Sequence, residues 1–232
     1  MVRQCTLMAV GNAVIAVSKV EGREMYDDLI NSTLLAQLVA NKKIENKTAD
    51  QWYDAYVGVL DDFWIRNLKF RLDLSLESNP DASPLEWVVA AMQGSGAQDQ
   101  TFDNFLRYAA RIPRSVPAIN VLCDNAQEYS GEEDVSPRPP LKAVRLLAIL
   151  AQNPTSFTSV YVDFQTRQEL TPNPWSQRLK VEEMQGPVCV RYARANLSET
   201  LYALARETLA LKIRDRLPDH VTTLVKTADI AF

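Results

Sequence analysis

Glycine is scarce in this chain, with seven residues in 232. Loops that cradle phosphates through glycine backbone have little material here, and neither G-x-G-x-x-G nor G-x-x-x-x-G-K-[ST] occurs. Histidine is scarcer still. His220 stands alone, so a Ser-His-Asp or Cys-His arrangement would have to use it. It follows Pro218-Asp219 near the chain end, and no G-x-S-x-G elbow accompanies it. The three cysteines, Cys5, Cys123 and Cys189, lie far apart. Without C-x-x-C or a Cys/His cluster, zinc and thioredoxin-like chemistry have no support, and buried free thiols are the expectation. No run of Lys and Arg stands out and the net charge is −4, which excludes a duplex nucleic-acid binder with a basic footprint. No catalytic, cofactor-binding or metal-ligating residue is assigned on these grounds, and no cofactor is expected.

What is present is ordinary globular material, 47% hydrophobic and 23% charged. The chain is organised around Thr48 to Leu76. Thr48 and Gln51 have the spacing of a capping box. Beyond them Trp52, Tyr53, Tyr56, Val57, Leu60, Phe63 and Trp64 recur at helical spacing, with Asp54, Asp61 and Asp62 largely on the other side. From Phe70 the period changes to two, with Phe70, Leu72, Leu74 and Leu76 alternating with polar residues as in a half-buried strand. A helix running into such a strand predicts helices packed on one face of a sheet.

In the N-terminal segment Arg3 precedes an apolar run, Thr6 to Val17, interrupted by Gly11-Asn12. It is shorter than the ~20 residues that cross a bilayer. It reads as a short core helix or strand. Ala16-Val17-Ser18 also has the form of a signal-peptide cleavage site, so the expected location is the cytoplasm, with secretion as the alternative. Glu24 to Asn41 reads as an amphipathic helix with Asp27 and Asp28 in its first turn. Ser78 to Asp81 reads as a turn, Ser83-Pro84 as the start of a helix through Trp87, Val88 and Met92, and Gln98 to Arg111 as another helix. Val116 to Leu122, Leu141 to Gln152, Phe157 to Gln168 and Pro187 to Ala195 read as strands, the last three joined by connections short enough for antiparallel pairing. A last helix starts at Ser198.

The expected architecture is therefore an α+β fold, with N-terminal helices packed on a mostly antiparallel sheet and a C-terminal helix. One domain spans residues 1–232: a helical part over about 1–113, a mainly β part over about 114–197, and the C-terminal helix over about 198–232.

Paired carboxylates are available at Asp27/Asp28, Asp61/Asp62 and Glu182/Glu183, but neighbours on a helix point about 100° apart and do not share a proton easily. Glu128, Glu132, Glu133 and Asp134 lack EF-hand spacing. The surplus of apolar faces favours a non-enzymatic protein acting by self-association or protein–protein binding, with a homo-oligomer or a protein partner expected. Its interaction face would hold Trp52, Tyr53, Tyr56, Phe63, Trp64, Val10, Val14 and Val17, although core packing explains the same stripe. The alternatives are a membrane-active or toxin-like protein that inserts its N-terminal apolar helices, and a carboxylate-based hydrolase.

Overall fold

A computed structural model describes residues 2–49, 51–74, 81–96, 99–129, 139–171 and 173–231. Leu76, the Ser78 to Pro80 part of the turn, Gln98, the run Glu132 to Asp134 and Pro172 lie outside the described residues. The chain begins with a hairpin, β1 (Val2–Val10) and β2 (Ala13–Ser18). Then come α1 (Asp27–Glu45), α2 (Trp52–Leu60) and β3 (Trp64–Leu74), followed by α3 (Pro84–Ser95), α4 (Gln100–Ala110), α5 (Ile119–Ala126) and the short β4 (Gln127–Tyr129). A run of long strands, β5 (Lys142–Asn153), β6 (Ser156–Thr166) and β7 (Met184–Leu197), leads into α6 (Glu199–Ile213), the single-turn α7 (Leu217–His220) and β8 (Val221–Ala231).

These strands form one sheet in the order β3-β7-β6-β5-β2-β1-β8, with β4 beside β5. Every pairing is antiparallel except β2 with β5, which run parallel from Ala13 opposite Leu147. The fold is α+β with a mostly antiparallel sheet. Side chains alternate between its faces, so each face has its own core. On one, Leu7, Ala9, Val14, Val160 and Val162 meet α3, α4 and α5 through Trp87, Phe102, Phe105 and Leu122. On the other, Val10, Ile15, Val17, Ile149 and Tyr161 meet α1 and α2. The expectation of helices on one face is thereby corrected: both faces carry them.

The N-terminal apolar run is the hairpin β1–β2. Val10 pairs with Ala13 across a two-residue turn in which Gly11 has φ +56, the first turn position that a II′ hairpin gives to glycine. Gln37, buried on α1, holds this turn by accepting from Asn12 N (3.0 Å) and donating to the Val10 carbonyl (2.9 Å). A Cβ on Gly11 would lie 2.1 Å from Gln37 Oε1, so no other residue fits without displacing that clamp.

Four further expectations are corrected. The Thr48 hydroxyl donates back to the Lys43 carbonyl (3.1 Å) and so closes α1. Gln51 occupies the N-cap of α2 without a side-chain bond, and no capping box forms. The aromatic helix stops at Leu60; Trp64 already belongs to β3, ten positions of which pair with β7. Val116 to Leu122 is not a strand. Ile119, Leu122, Cys123 and Ala126 are buried at helical spacing in α5, so helix extends past Pro113. The last segment is not helical to its end, since β8 pairs with β1 from Val2 opposite Ala231 to Val10 opposite Val221.

Ser83 does form a capping box: its hydroxyl accepts from Glu86 N at 3.3 Å, and Glu86 accepts from Ser83 N at 2.7 Å. Ser83→Ala removes one half of that exchange and should cost about 0.5–2 kcal/mol of stability, read as a fall in urea midpoint at unchanged slope. An unchanged midpoint would show that the cap is idle.

Candidate interaction surface

The residues singled out as an interaction face lie inside the chain's own core. Trp52 is stacked between Tyr56 (5.2 Å between ring centres) and Tyr161 of β6 (5.5 Å). Tyr53 meets the same Tyr161 at 4.8 Å, under the Arg191 guanidinium. Trp64 packs edge-on against Phe157. Phe63 is only partly buried and meets Tyr202 of α6 edge-on at 5.3 Å. Val10 and Val17 point to the α1/α2 side and Val14 to the opposite core, so the three valines do not share a face. The acidic side of α2 is likewise engaged: Asp54 pairs with Arg191 (2.9 Å), and Asp61 with Arg66 across β3 (2.6 Å).

The exposed apolar surface lies elsewhere, on α6. At 100° per residue Tyr202, Leu209 and Ile213 share one side of this helix, while Leu204 and Leu211 fall on nearly the opposite side and Leu201 on the flank, about 100° from Tyr202. The first set is buried; Leu201, Leu204 and Leu211 are 49%, 86% and 64% exposed. Polar contacts fix which side faces in. Tyr202 Oη donates to the Asp28 carbonyl at 3.2 Å, and Arg206 holds the Asp28 carboxylate through Nε (3.1 Å) and Nη2 (2.9 Å) and Glu199 through Nη2 (2.6 Å). Rolling α6 to hide its leucines would break the bonds of Tyr202 and Arg206 to Asp28. Single exposed leucines are common on any surface, but three in one stripe make a patch.

A second exposed set, Ile65, Leu68 and Leu72, lies on β3, which ends the sheet. Here Arg66, Lys69 and Arg71 interleave with the apolar residues. Charged side chains on an edge strand are one of the ways natural edges avoid joining.

The three thiols are not activated. Burial pushes the Cys5 thiol up to about 11 and raises those of Cys123 and Cys189 as well, the reverse of what a thiolate nucleophile needs. Burial raises Tyr56, Tyr161 and Asp163 in the same way. Among the described residues no three His, Cys, Asp or Glu groups gather as metal ligands, and no helix is long and apolar enough to cross a membrane.

His220 is held at Nδ1, 3.0 Å from Asn125 Oδ1. The Asn125 amide donates through Nδ2 to the Val121 carbonyl (2.7 Å), so its oxygen faces the ring and the neutral imidazole carries its proton on Nδ1. Burial lowers this pKa, with Asp219 opposing and Arg216 reinforcing the shift. A histidine with a lowered folded pKa is protonated first in the unfolded chain, so stability is lost as pH falls through 6.5 toward the folded value. Comparing urea midpoints at about pH 7.5 and 5.5, the native chain should lose more on acidification than His220→Gln. A larger loss in the variant would contradict this sign.

No protein family model matches the chain, and no curated protein matches it. Among solved structures it is similar to a chain described as "Structure of the Evf virulence factor", at 13% identity and a TM-score of 0.30, over 91% of this chain and 82% of that one. A likeness of that extent carries no argument about function or site.

Proposed function

We propose that this is a non-enzymatic protein that acts by self-association, two copies packing their α6 helices antiparallel about a twofold axis. The observation that carries the reading is the stripe Leu201, Leu204 and Leu211, exposed on a helix whose other side is fixed against Asp28. A helix apolar on two opposite sides has one face too many for the monomer. With the axis between Glu207 and Thr208, Leu204 of each copy meets Leu211 of the other. The same register sets the acidic first turn at Glu199 near the partner's Lys212, Arg214 and Arg216 and opposes the helix dipoles. Parallel pairing would align like ends.

Each leucine contributes roughly 1.5–3 kcal/mol when fully buried, less here because part of each is already covered. Association costs about 4–15 kcal/mol, so a weak, concentration-dependent dimer follows. The membrane-active alternative gains no support from the N-terminus, because Thr6 to Val17 lies within β1 and β2, between β8 and β5.

Chemical cross-linking tests the register. In a Cys189→Ser background, Thr208→Cys sits beside the twofold axis and should give a covalent dimer with a short bismaleimide. Thr200→Cys should not, since antiparallel packing separates its two copies by about 22 Å along the helix axis. Cross-linking at both positions would mean parallel pairing, and at neither would remove α6 as the interface.

A further inference from the structure

Among the described residues β3 has a strand on one side only, β7, and so ends the sheet. Its pairing shifts register between Arg66 and Leu68, but from Leu68 to Leu74 the ladder with β7 is unbroken. At about 3.4 Å per residue this regular run is about 20 Å long. Alternate residues of such an edge direct their N–H and C=O groups away from the sheet, where an extended segment can take them up.

The two faces of the run differ in chemistry. Leu68, Phe70, Leu72 and Leu74 lie on one. Phe70 stacks on Tyr192 at 5.1 Å between ring centres, whereas Leu68 and Leu72 are 42% and 36% exposed. The other face carries Lys69, Arg71 and Asp73. The acids nearest these cations are already paired: Asp73 with Arg71 (3.0 Å), Asp54 with Arg191 (2.9 Å), and Asp61 with Arg66 beyond the register shift (2.6 Å). Lys69 lies opposite Ala193 and has no ion-pair partner among the described residues. Arg71 lies directly opposite Arg191, a like-charge pair that weakens the ladder. An unmatched cation beside two opposed guanidiniums leaves this face short of negative charge.

We propose that the β3 edge takes up an extended acidic segment of another protein as an added strand. Its acidic side chains would lie over Lys69 and Arg71, and its apolar ones over Leu68 and Leu72. Successive side chains of a strand point to opposite faces, so one alignment satisfies both faces and a one-residue slip reverses them. Charge thereby sets the register. The row Arg66, Lys69 and Arg71, which discourages a second, equally cationic edge, favours this partner. The edge and the α6 stripe lie on different elements and are tested separately.

Fluorescence anisotropy at neutral pH tests the proposal, with a labelled peptide of alternating Val and Glu, about eight residues long, as the probe. It should bind saturably below about 1 mM. The corresponding Val-Lys peptide should bind at least roughly tenfold more weakly. So should a Val-Glu peptide with prolines in place of valines, which keeps the charge and loses ladder hydrogen bonds. Lys69→Glu should weaken Val-Glu binding at least roughly tenfold, Lys69→Arg should retain it, and neither should alter self-association through α6. Absence of saturable binding would overturn the proposal. A proline peptide that binds as well as its parent would mean a charged patch without strand addition and would overturn it too, as would unchanged affinity in Lys69→Glu. Loss of self-association in Lys69→Glu would make a second copy the occupant of this edge, and the proposal would again fail.

Discussion

Trp64→Ala should lower the stability of the chain by about 3–5 kcal/mol, the range for removing a large buried aromatic side chain. Trp64 is 1% exposed, its ring packs edge-on 4.7 Å from that of Phe157, and its indole Nε1 donates to Ser32 Oγ at 2.9 Å. Ser32 in turn donates to the Asp28 carbonyl at 2.6 Å, the residue whose carboxylate anchors Arg206 of α6. The tryptophan therefore joins the start of β3, α1 and the inner side of α6, and removing it opens a cavity and leaves a chain of polar contacts short of a donor. Trp64→Phe keeps part of the packing but loses the N–H and some ring volume, so a loss of more than about 1 kcal/mol, yet smaller than that of the alanine variant, is expected. Equilibrium urea unfolding of both variants gives the answer. A loss under about 1 kcal/mol for the alanine variant, accompanied by a change in association, would instead return Trp64 to the interaction face that its spacing first suggested.

Leu204→Glu should abolish self-association while leaving the fold intact. This side chain is 86% exposed in the monomer, so a carboxylate there costs the isolated chain little. Across the proposed twofold it would set a carboxylate against the partner's Leu211 in both copies at once. A loss of at least roughly a hundredfold in dimer affinity is expected, with an unchanged urea midpoint at concentrations where the native chain is monomeric. Leu204→Ala should give a smaller loss in the same direction. A fall in midpoint comparable to that of a core substitution would mean that Leu204 packs within its own chain.

Where the apolar pattern had one unambiguous period, it was legible in the amino-acid order. The strand expected over Phe157 to Gln168 became β6, and Ser83-Pro84 became the capped start of α3. The N-terminal run misled because Gly11-Asn12 was read as an interruption. Between two apolar runs that dipeptide is itself a hairpin signal. β8 escaped notice because Val221 to Ala231 has only a weak alternation, and its pairing partner β1 lies at the other end of the chain, beyond the reach of local reasoning. In α5, β-branched Ile119 and Val121 gave a strand-like composition, yet the burial of Ile119, Leu122, Cys123 and Ala126 against the sheet decided for helix. The aromatic stripe of α2 was legible as a face needing a partner. That partner proved to be Tyr161 of the chain's own sheet. The α6 stripe was harder to see, because both Leu204 and Leu209 are apolar residues of one helix and spacing alone does not say which side faces in. Only the contacts of Tyr202 and Arg206 show which side faces outward. The open edge of β3 depends on strand order and register, and neither is written in local sequence.

The most direct test of self-association through α6 is the molar mass in solution, measured by light scattering on the native chain and on Leu204→Glu over about 1 μM to 1 mM, with and without liposomes. The native chain should rise from one chain mass toward two as concentration increases, in buffer alone, while Leu204→Glu stays at one. A native chain that remains monomeric throughout, or that associates only when liposomes are added, would contradict the account.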